Sequence, residues 1–353
     1  MSGGVDSSVA AWLLRQAGHE VVGLFMRHGH QDATTCATSA AGAPRKQGCC
    51  SASDAADARR VAQRLEIPFY AINFEEEFSR IIHYFISEYS SGRTPNPCVV
   101  CNTWLKFGKL VDYADSVGAR QIATGHYARL VETPDGRLAL CRGLDPGKDQ
   151  SYVLWGIRPE VLVRLQFPVG DYQKEEIRRI AGRLGLRHVA EKPDSQEICF
   201  VPDQDHARFI RANRSPQDTS GPIVTTDGRV VGRHEGIEQF TIGQRKGLGV
   251  ALGEPRYVVR IDPQSREVVL GAKEELARHE LSASGANWFL PPGPRFECGV
   301  KIRYRSPAVP ALVETLPGER FHVEFLTPCY GVAPGQAAVC YQGDEVLGGG
   351  WID

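Results

Sequence analysis

The start of the chain carries a glycine- and serine-rich string, SGGVDSS at residues 2–8, that runs directly into a segment with helical periodicity. Two adjacent glycines let successive backbone N–H groups point at one anion, and the helix N-terminus adds the positive end of its dipole. The hydroxyls of Ser7 and Ser8 can donate to phosphate oxygens, and Asp6 can help to hold Mg²⁺. A glycine turn with a serine N-cap is the simpler alternative. The complete string favours a phosphate loop, although no lysine follows its glycines.

A second string, TPNPCVVCN at residues 94–102, combines two prolines with a CxxC pair. The prolines fix an extended approach, after which Cys98 and Cys101 stand just before a helix predicted over residues 104–117. A helix N-terminus favours the thiolate form of a nearby cysteine. Cys199 supplies a third thiol far along the chain. A redox pair, a metal site and a sulfur-transfer pair all fit CxxC, and the phosphate loop shifts the balance toward sulfur transfer.

Composition limits the classes of protein that these strings can belong to. The chain has 353 residues, of which 42% are apolar and 24% charged, which indicates a globular protein of two or three domains. It has no secretory signal and no apolar run long enough for a membrane span, so a cytoplasmic protein is expected. Ten cysteines then indicate catalytic or metal-binding thiols rather than a disulfide framework. Because the net charge is −1, any nucleic-acid surface must be a local patch.

The elements that position these strings change in character along the chain. In the first 200 residues, helical periodicity over 7–16, 54–65 and 75–89 alternates with strand-like runs over 21–26, 67–74 and 121–127. This alternation predicts an α/β domain with a largely parallel sheet. Residues 28–48 are rich in Ala, Thr, Ser and Gly and are expected to form a long mobile loop.

Beyond residue 202, short alternating runs and frequent Gly and Pro replace the helical pattern. Strand-like runs cover residues 257–261, 267–270, 300–304, 321–325 and 337–341. The pattern predicts a small linking domain followed by an antiparallel β-barrel. We therefore expect a catalytic domain over residues 1–205, a small central domain over 206–275 and a barrel domain over 276–353.

The set of strings resembles one family along nearly the whole chain. The first string resembles the PP-loop of N-type ATP pyrophosphatases, which cleave ATP between the α and β phosphates and adenylylate a substrate. The full set is similar to the tRNA-specific 2-thiouridylases (MnmA/TrmU). Besides residues 2–8 and 94–102, the matching strings are CCSASDAADARRVA at 49–62, ATGHYAR at 123–129, GKDQSYVLW at 147–155, FPVGDYQKEEIR at 167–178, DSQEICFV at 194–201 and GQRKGLG at 243–249.

The resemblance implies which residues bind ATP and which face the tRNA. The residues implied in binding ATP are Ser2, Gly3, Gly4, Asp6, Ser7, Ser8, Met26 and Gly125. The residues implied in contacting the tRNA are Asn96, Pro97, Cys98, His126, Lys148, Asp149, Gln150, Tyr304, Arg305 and Gln336. Arginines 178, 179 and 183, and arginines 208, 211 and 214, form basic runs that can follow phosphates, although charged helix faces are usually just solvated. Vicinal Cys49 and Cys50 match the family without an assigned role.

The resemblance also implies a reaction. ATP would adenylylate the 2-oxygen of wobble uridine 34, and a persulfide on Cys199 would supply sulfur, with Cys101 attacking the persulfide or closing a disulfide with Cys199. Expected partners are tRNAs for Lys, Glu and Gln and a cysteine desulfurase or sulfur-relay protein. Cys98 departs from the common family pattern, which has aspartate after Asn-Pro. Cys98, Cys101 and Cys199 together suit a [4Fe–4S] cluster equally well, and thiolates also suit zinc.

Other interpretations stay open at this point. A different PP-loop enzyme, such as a tRNA 2-thiocytidine synthetase or a small-molecule synthetase, shares the first string. A nonenzymatic iron–sulfur or zinc-binding RNA module shares the thiols but needs no ATP site. In addition, PP-loops normally follow a buried strand, whereas here Met1 directly precedes the loop. We therefore expect a start upstream or a truncated chain, and a folded but inactive protein is a third alternative.

Overall fold

The computed structural model describes residues 1–27, 52–193, 198–201 and 205–353. The predicted loop over residues 28–48 therefore lies outside the described residues, as do Cys49 and Cys50. Within the described part, no helix combines the length and the apolar character that crossing a membrane requires.

Helices dominate the first 212 residues. The α-helices are α1 Val5–Gln16, α2 Ala52–Arg64, α3 Glu75–Ser90, α4 Pro97–Val100, α5 Leu110–Ser116, α6 Lys174–Arg183, α7 Arg187–Ala190 and α8 His206–Ala212. A π-helix, Cys101–Lys109, lies between α4 and α5, and short 3₁₀ segments cover Ser151–Leu154, Pro159–Arg164, Ile237–Gln239 and Glu274–Leu276.

Strands occur throughout the chain and form most of its second half. They are β1 Gly23–Arg27, β2 Phe69–Asn73, β3 Ile122–Ala123, β4 Ala128–Glu132, β5 Leu138–Arg142, β6 Leu165–Gln166, β7 Gly221–Thr225, β8 Val230–His234, β9 Tyr257–Asp262, β10 Glu267–Gly271, β11 Ala277–Trp288, β12 Arg295–Lys301, β13 Val309–Leu316, β14 Arg320–Tyr330, β15 Ala337–Gln342 and β16 Glu345–Ile352.

The described chain divides into two compact units. The first comprises Met1–Arg80, Trp104–Ser151 and Glu160–Asp205, and the second comprises Ile81–Thr103, Tyr152–Pro159 and His206–Asp353. The boundaries predicted near residues 205 and 275 stay predictions.

The first unit contains parallel strand pairs and a helical layer. β1 pairs in parallel with β2, β3 pairs in parallel with β6, and β4 and β5 form an antiparallel hairpin. The apolar stripe of α1, including Val9, packs with Ile177 and Ile180 of α6 and with Val61 of α2 in one buried cluster. This cluster fixes the axis of α1, and so the loop that precedes it.

The second unit contains a four-stranded sheet and a closed barrel. The sheet has the order β8–β7–β10–β9, in which only β10 and β7 run parallel. The barrel has the order β11–β14–β13–β12–β15–β16, and pairing of β16 with β11 closes it. Phe321, Val300 and Val323 are fully buried inside it because alternate residues of each strand point inward.

The predicted fold class is confirmed: an α/β domain with parallel strands is followed by a small β domain and an antiparallel barrel. Three local predictions were wrong. The helix expected over residues 104–117 begins at Pro97, so CxxC lies inside its first turns. The strand expected over 121–127 is only Ile122–Ala123, because the next residues turn toward α1. The strand expected over 300–304 ends at Lys301.

Substituting Phe321 should destabilise the barrel. Its ring lies 5.2 Å from that of Trp288 and is fully buried, so Phe321→Ala is expected to cost about 3–5 kcal/mol in the free energy of unfolding. Urea unfolding followed by tryptophan fluorescence measures the loss. Leu326→Ala on the same strand is the matched control, because Leu326 is 61% exposed, and it should change stability by less than about 0.5 kcal/mol. Equal effects of the two variants would contradict this account of the barrel core.

Candidate functional site

The phosphate loop lies at the N-terminus of α1, as predicted. Gly4 is the N-cap residue in extended conformation, and no side chain caps the helix. The hydroxyls of Ser7 and Ser8 donate to the Gly4 carbonyl at 3.2 and 2.8 Å, while the Ser2 N–H donates to the Ser7 hydroxyl at 3.0 Å. The loop is therefore ordered by its own serines, and its first-turn N–H groups have no competing side-chain acceptor.

Two glycines let the phosphate loop lie directly against other backbone. Gly3 has φ +72°, and a Cβ there would lie 2.4 Å from the carbonyl oxygen of Asp54. A Cβ on Gly125 would lie 2.7 Å from the Ser7 nitrogen. Gly3 and Gly125, two of the three glycines predicted to bind ATP, thus pack against backbone at positions where a side chain would not fit. Met26, the other predicted contact, is half-buried on β1.

Asp6 of the loop is held by two residues that sequence analysis missed. Lys174, buried at the start of α6, donates to both carboxylate oxygens of Asp6 at 2.8 Å. The Tyr127 hydroxyl donates to the same carboxylate at 2.7 Å, and the ammonium of Lys174 lies 5.6 Å from the Tyr127 ring centre. These three hydrogen bonds are compatible with the predicted Mg²⁺ contact, because a carboxylate offers about four lone pairs and the Asp6 side chain is 30% exposed.

A second lysine, Lys192, also hydrogen-bonds to the loop. Lys192 donates to the Gly3 carbonyl at 3.1 Å and to Asp54 at 2.9 Å, and it pairs with Asp57 at 2.5 Å. Partial burial alone would lower the pKa of Lys192, but hydrogen bonds to Asp57 and Asp54 raise it above its ordinary value. Asp57 is buried, so it anchors the loop rather than solvating a helix.

His126 is a buried histidine with two aromatic rings as neighbours. It is buried between Phe107 and Phe167, and its Nδ1 lies 2.7 Å from the Thr124 hydroxyl. Burial, with a smaller contribution from Lys106, lowers the pKa of His126 well below its ordinary value, so the ring is neutral at neutral pH. A neutral ring can exchange hydrogen bonds with a base but cannot attract a phosphate.

Residues Lys148 to Gln150 were predicted to face the tRNA, and two of their side chains hydrogen-bond within the protein. Asp149 is buried and accepts from the Gly143 and Ser151 N–H groups at 3.2 and 3.0 Å. Gln150 accepts from the Tyr127 N–H at 3.0 Å. Asp149 therefore shapes the turn, and Lys148 and Gln150 are both half-buried.

The CxxC pair, in the second unit, occupies the start of a helix. The Asn96 side chain caps α4 by accepting from the Val99 N–H at 3.3 Å, and Pro97 takes the first helical position. Cys98 is exposed and Cys101 half-buried. Asn102, next in sequence, is buried and donates to the Val153 carbonyl at 3.1 Å. The π-helix that starts at Cys101 was not anticipated, and such helices often mark functional sites.

Gln336 hydrogen-bonds to the segment that precedes the CxxC pair. Its Nε2 donates to the carbonyls of Thr94 and Pro95 at 3.0 and 2.9 Å. A tRNA contact by Gln336 would thus have to use its side-chain oxygen. Tyr304 and Arg305 are exposed, as expected of residues that contact RNA.

Several arginines of the predicted basic runs have structural roles. Arg178 donates to the carbonyls of Ala190 and Lys192. Arg211 and Arg214 pair with the buried Glu238 at 2.7 and 3.3 Å. These three side chains therefore hold the fold, and the interpretation of the runs as phosphate tracks stays a prediction.

Cys199 lies in the first unit and is half-buried. The next residue, Phe200, is buried against Phe78 of α3 with ring centres 5.5 Å apart. Phe200 is a further residue that sequence analysis missed, and it anchors the segment that carries Cys199. Across the residues that the structure describes, no group of three or more Cys, His, Asp or Glu side chains is arranged to hold a metal ion.

Comparisons with known proteins match the whole chain. Residues 1–203 match the family described as tRNA methyl transferase HUP domain, residues 208–272 its PRC-barrel domain, and residues 278–352 the aminomethyltransferase beta-barrel domain. The chain is 52% identical to the tRNA-specific 2-thiouridylase MnmA of Rhodopirellula baltica, covering 100% of this chain and 94% of that protein. It is 50% identical to the MnmA proteins of Geotalea uraniireducens and Geobacter metallireducens, with 100% of this chain aligned to 93% and 95% of theirs.

Adding one methyl group at Gly125 should displace the phosphate loop. Gly125→Ala places a Cβ 2.7 Å from the Ser7 backbone nitrogen, so the phosphate loop has to shift. We expect strain of about 1–3 kcal/mol to fall on the geometry that binds ATP, which would lower ATP affinity about 5-fold to 150-fold. Calorimetric titration with ATP measures this loss. In the control Gly182→Ala, on an exposed position of α6 with open space around it, ATP affinity should stay unchanged. ATP affinity unchanged in both variants would contradict the role of Gly125.

Proposed function

This chain belongs to the tRNA-specific 2-thiouridylase family, and we propose that it converts the wobble uridine of tRNA to 2-thiouridine at the expense of ATP. The observation that carries the proposal is identity of about half of all residues along the full length of such enzymes. The N-terminus of α1, which no side chain caps and against which Gly3 and Gly125 allow close backbone packing, also supports the use of ATP.

The first step is adenylylation of the tRNA base. The loop residues Ser2, Gly3, Gly4, Asp6, Ser7 and Ser8, with Met26 and Gly125, hold ATP, and Mg²⁺ offsets the charge of its phosphates. The 2-oxygen of uridine 34 attacks the α-phosphorus, the bond between the α-phosphorus and its bridging oxygen breaks, and pyrophosphate leaves with the electron pair. This makes the 2-oxygen a good leaving group as part of AMP.

The second step is sulfur transfer, with Cys199 as its carrier. A cysteine desulfurase or relay protein supplies sulfur as a persulfide on Cys199. The Cys101 thiolate attacks the inner sulfur, a Cys101–Cys199 disulfide forms, and hydrosulfide is released to attack C2 of the base and expel AMP. Two electrons from a cellular dithiol then reduce the disulfide. The arrangement of Cys101 at the start of a π-helix, half-buried, supports its role as the second thiol.

Cys98 takes the place that aspartate occupies in the common family pattern. On the persulfide route it is a neighbour of the reacting base, together with Asn96 and Pro97. The competing route places a [4Fe–4S] cluster on Cys98, Cys101 and Cys199, with a free iron carrying the sulfide. Both routes use Cys101 and Cys199, and they differ in whether Cys98 is a ligand.

The residues proposed to recognise the substrate fall into two groups. We propose that His126, Lys148 and Gln150 lie near the splayed base, with Asp149 shaping their turn, and that Tyr304, Arg305 and the Gln336 side-chain oxygen contact the anticodon stem. The tRNAs for Lys, Glu and Gln are the proposed substrates.

Replacing Cys98 with aspartate separates the two sulfur routes. On the persulfide route Cys98→Asp restores the common pattern, so 2-thiouridine formation with ATP, desulfurase and unmodified tRNA should be retained or raised. On the cluster route it removes a ligand and abolishes activity. Anaerobic purification with an iron, zinc and acid-labile sulfide count checks the same point. About four irons per chain, lost in Cys98→Asp, would contradict the persulfide proposal.

Removing the sulfur carrier should abolish thiolation but not the use of ATP. Cys199→Ala is expected to lower 2-thiouridine formation by about three orders of magnitude or more, while tRNA-dependent release of pyrophosphate continues. Cys329→Ala is the matched control, since Cys329 is buried in the barrel and should not affect the reaction. Full thiolation by Cys199→Ala would overturn its assignment.

A further inference from the structure

Two cysteines meet in the barrel, and neither takes part in the proposed reaction. Cys340 of β15 is fully buried in the apolar core, and the half-buried Cys298 of β12 packs against that core. Val300 of β12 pairs directly with Cys340. Because Cys298 lies two residues before Val300, it points to the same face of the sheet and is a diagonal neighbour of Cys340. The two thiols hydrogen-bond to each other.

The two thiols differ in exposure and in protonation. The hydrogen bond to Cys298 and burial raise the pKa of Cys340 well above its ordinary value, so Cys340 stays a thiol at neutral pH. Cys298 is the member of the pair that solvent reaches. A small oxidant arriving from solvent therefore meets Cys298 first, with the thiol of Cys340 already in hydrogen-bonding contact.

The strands that carry the two cysteines pair over a short segment. Residues 299–301 of β12 pair with residues 339–341 of β15, whereas β13 pairs with β14 over residues 311–316. The pairing of β15 with β16 also shifts register between Cys340 and Tyr341. Cys298 lies just beyond the residues paired with β15, which leaves its backbone freer to move toward that strand. A covalent bond here would join two strands that few main-chain hydrogen bonds hold together.

We propose that Cys298 and Cys340 form a reversible disulfide when the protein meets hydrogen peroxide, and that this bond fixes β12 to β15. Peroxide oxidises the Cys298 sulfur to a sulfenic acid, and one water leaves. The Cys340 sulfur attacks the sulfenic sulfur, the S–O bond breaks, and the oxygen leaves as a second water with the Cys340 proton. The two thiols thus give up two electrons and two protons, and one peroxide becomes two waters. A cellular dithiol reverses the bond by thiol–disulfide exchange.

The consequence of the bond is a more stable barrel. It would close a loop over residues 298–340, which lowers the entropy of the unfolded chain. The inference stands apart from the proposed thiolation, because that reaction uses neither cysteine.

Peptide mapping of the full chain tests the bond. The folded protein is treated with hydrogen peroxide, its remaining thiols are alkylated, and it is digested with trypsin without reduction. The peptide over residues 296–301 should be linked to the peptide over residues 321–353, and dithiothreitol should release both. Because the second peptide also contains Cys329, a buried barrel cysteine on β14, Cys329→Ala is the matched control and should keep the link. Cys298→Ala and Cys340→Ala should each lose it.

Urea unfolding of the same samples tests the consequence. Peroxide should raise the urea midpoint of the wild type and of Cys329→Ala by about 1–2 M over the reduced protein, and should give no such rise in Cys298→Ala. A link through Cys329, no link in the folded wild type, or an equal rise in Cys298→Ala would overturn the inference. If Cys298→Ala does not fold, Cys298→Ser carries both measurements, since it keeps the size of the side chain but cannot form the bond.

Discussion

Direct backbone-to-backbone packing around the phosphate loop is the constraint on which the first unit depends. Gly3 lies against the Asp54 carbonyl and Gly125 against the Ser7 nitrogen, at distances that admit no side chain. An anion site made of N–H groups works only when those groups are held in fixed directions. The start of α2 and the turn after β3 therefore pack directly against the loop and the first turn of α1. The buried cluster between α1 and α6 holds α1 in that position.

The charge of the site is assembled from outside the loop. The string itself contributes one carboxylate and two hydroxyls that order it, whereas the positive groups are Lys174 at the start of α6 and Lys192 beyond α7. Each lysine is paired with carboxylates that lie near it, which offsets the cost of withdrawing an ammonium from water. The same ion pairs hold α1 and α2 in position, so the site takes its shape when the protein folds.

Residues with local signals could be predicted from the sequence, and residues with only long-range partners could not. Periodicity located α1, α2, α3 and, within the barrel, β14 and β15, and the strings located the loop and the thiols. Lys174, Lys192 and Phe200 were missed because an isolated lysine or phenylalanine has no pattern until the fold brings it to Asp6, Gly3 or Phe78. The π-helix was missed because it reflects backbone bonding that residue types do not specify.

The position of CxxC explains why aspartate and cysteine can alternate at residue 98. Cys98 lies in the first turn of α4, next to the Asn96 cap, while Cys101 lies one turn later. Because the field of a helix terminus decays within its first turn, negative charge is favoured at Cys98 more than at Cys101. A carboxylate and a thiolate both satisfy that preference. The helix terminus therefore favours negative charge more strongly at Cys98 than at Cys101. Their CxxC spacing alone does not give the two thiols the same role.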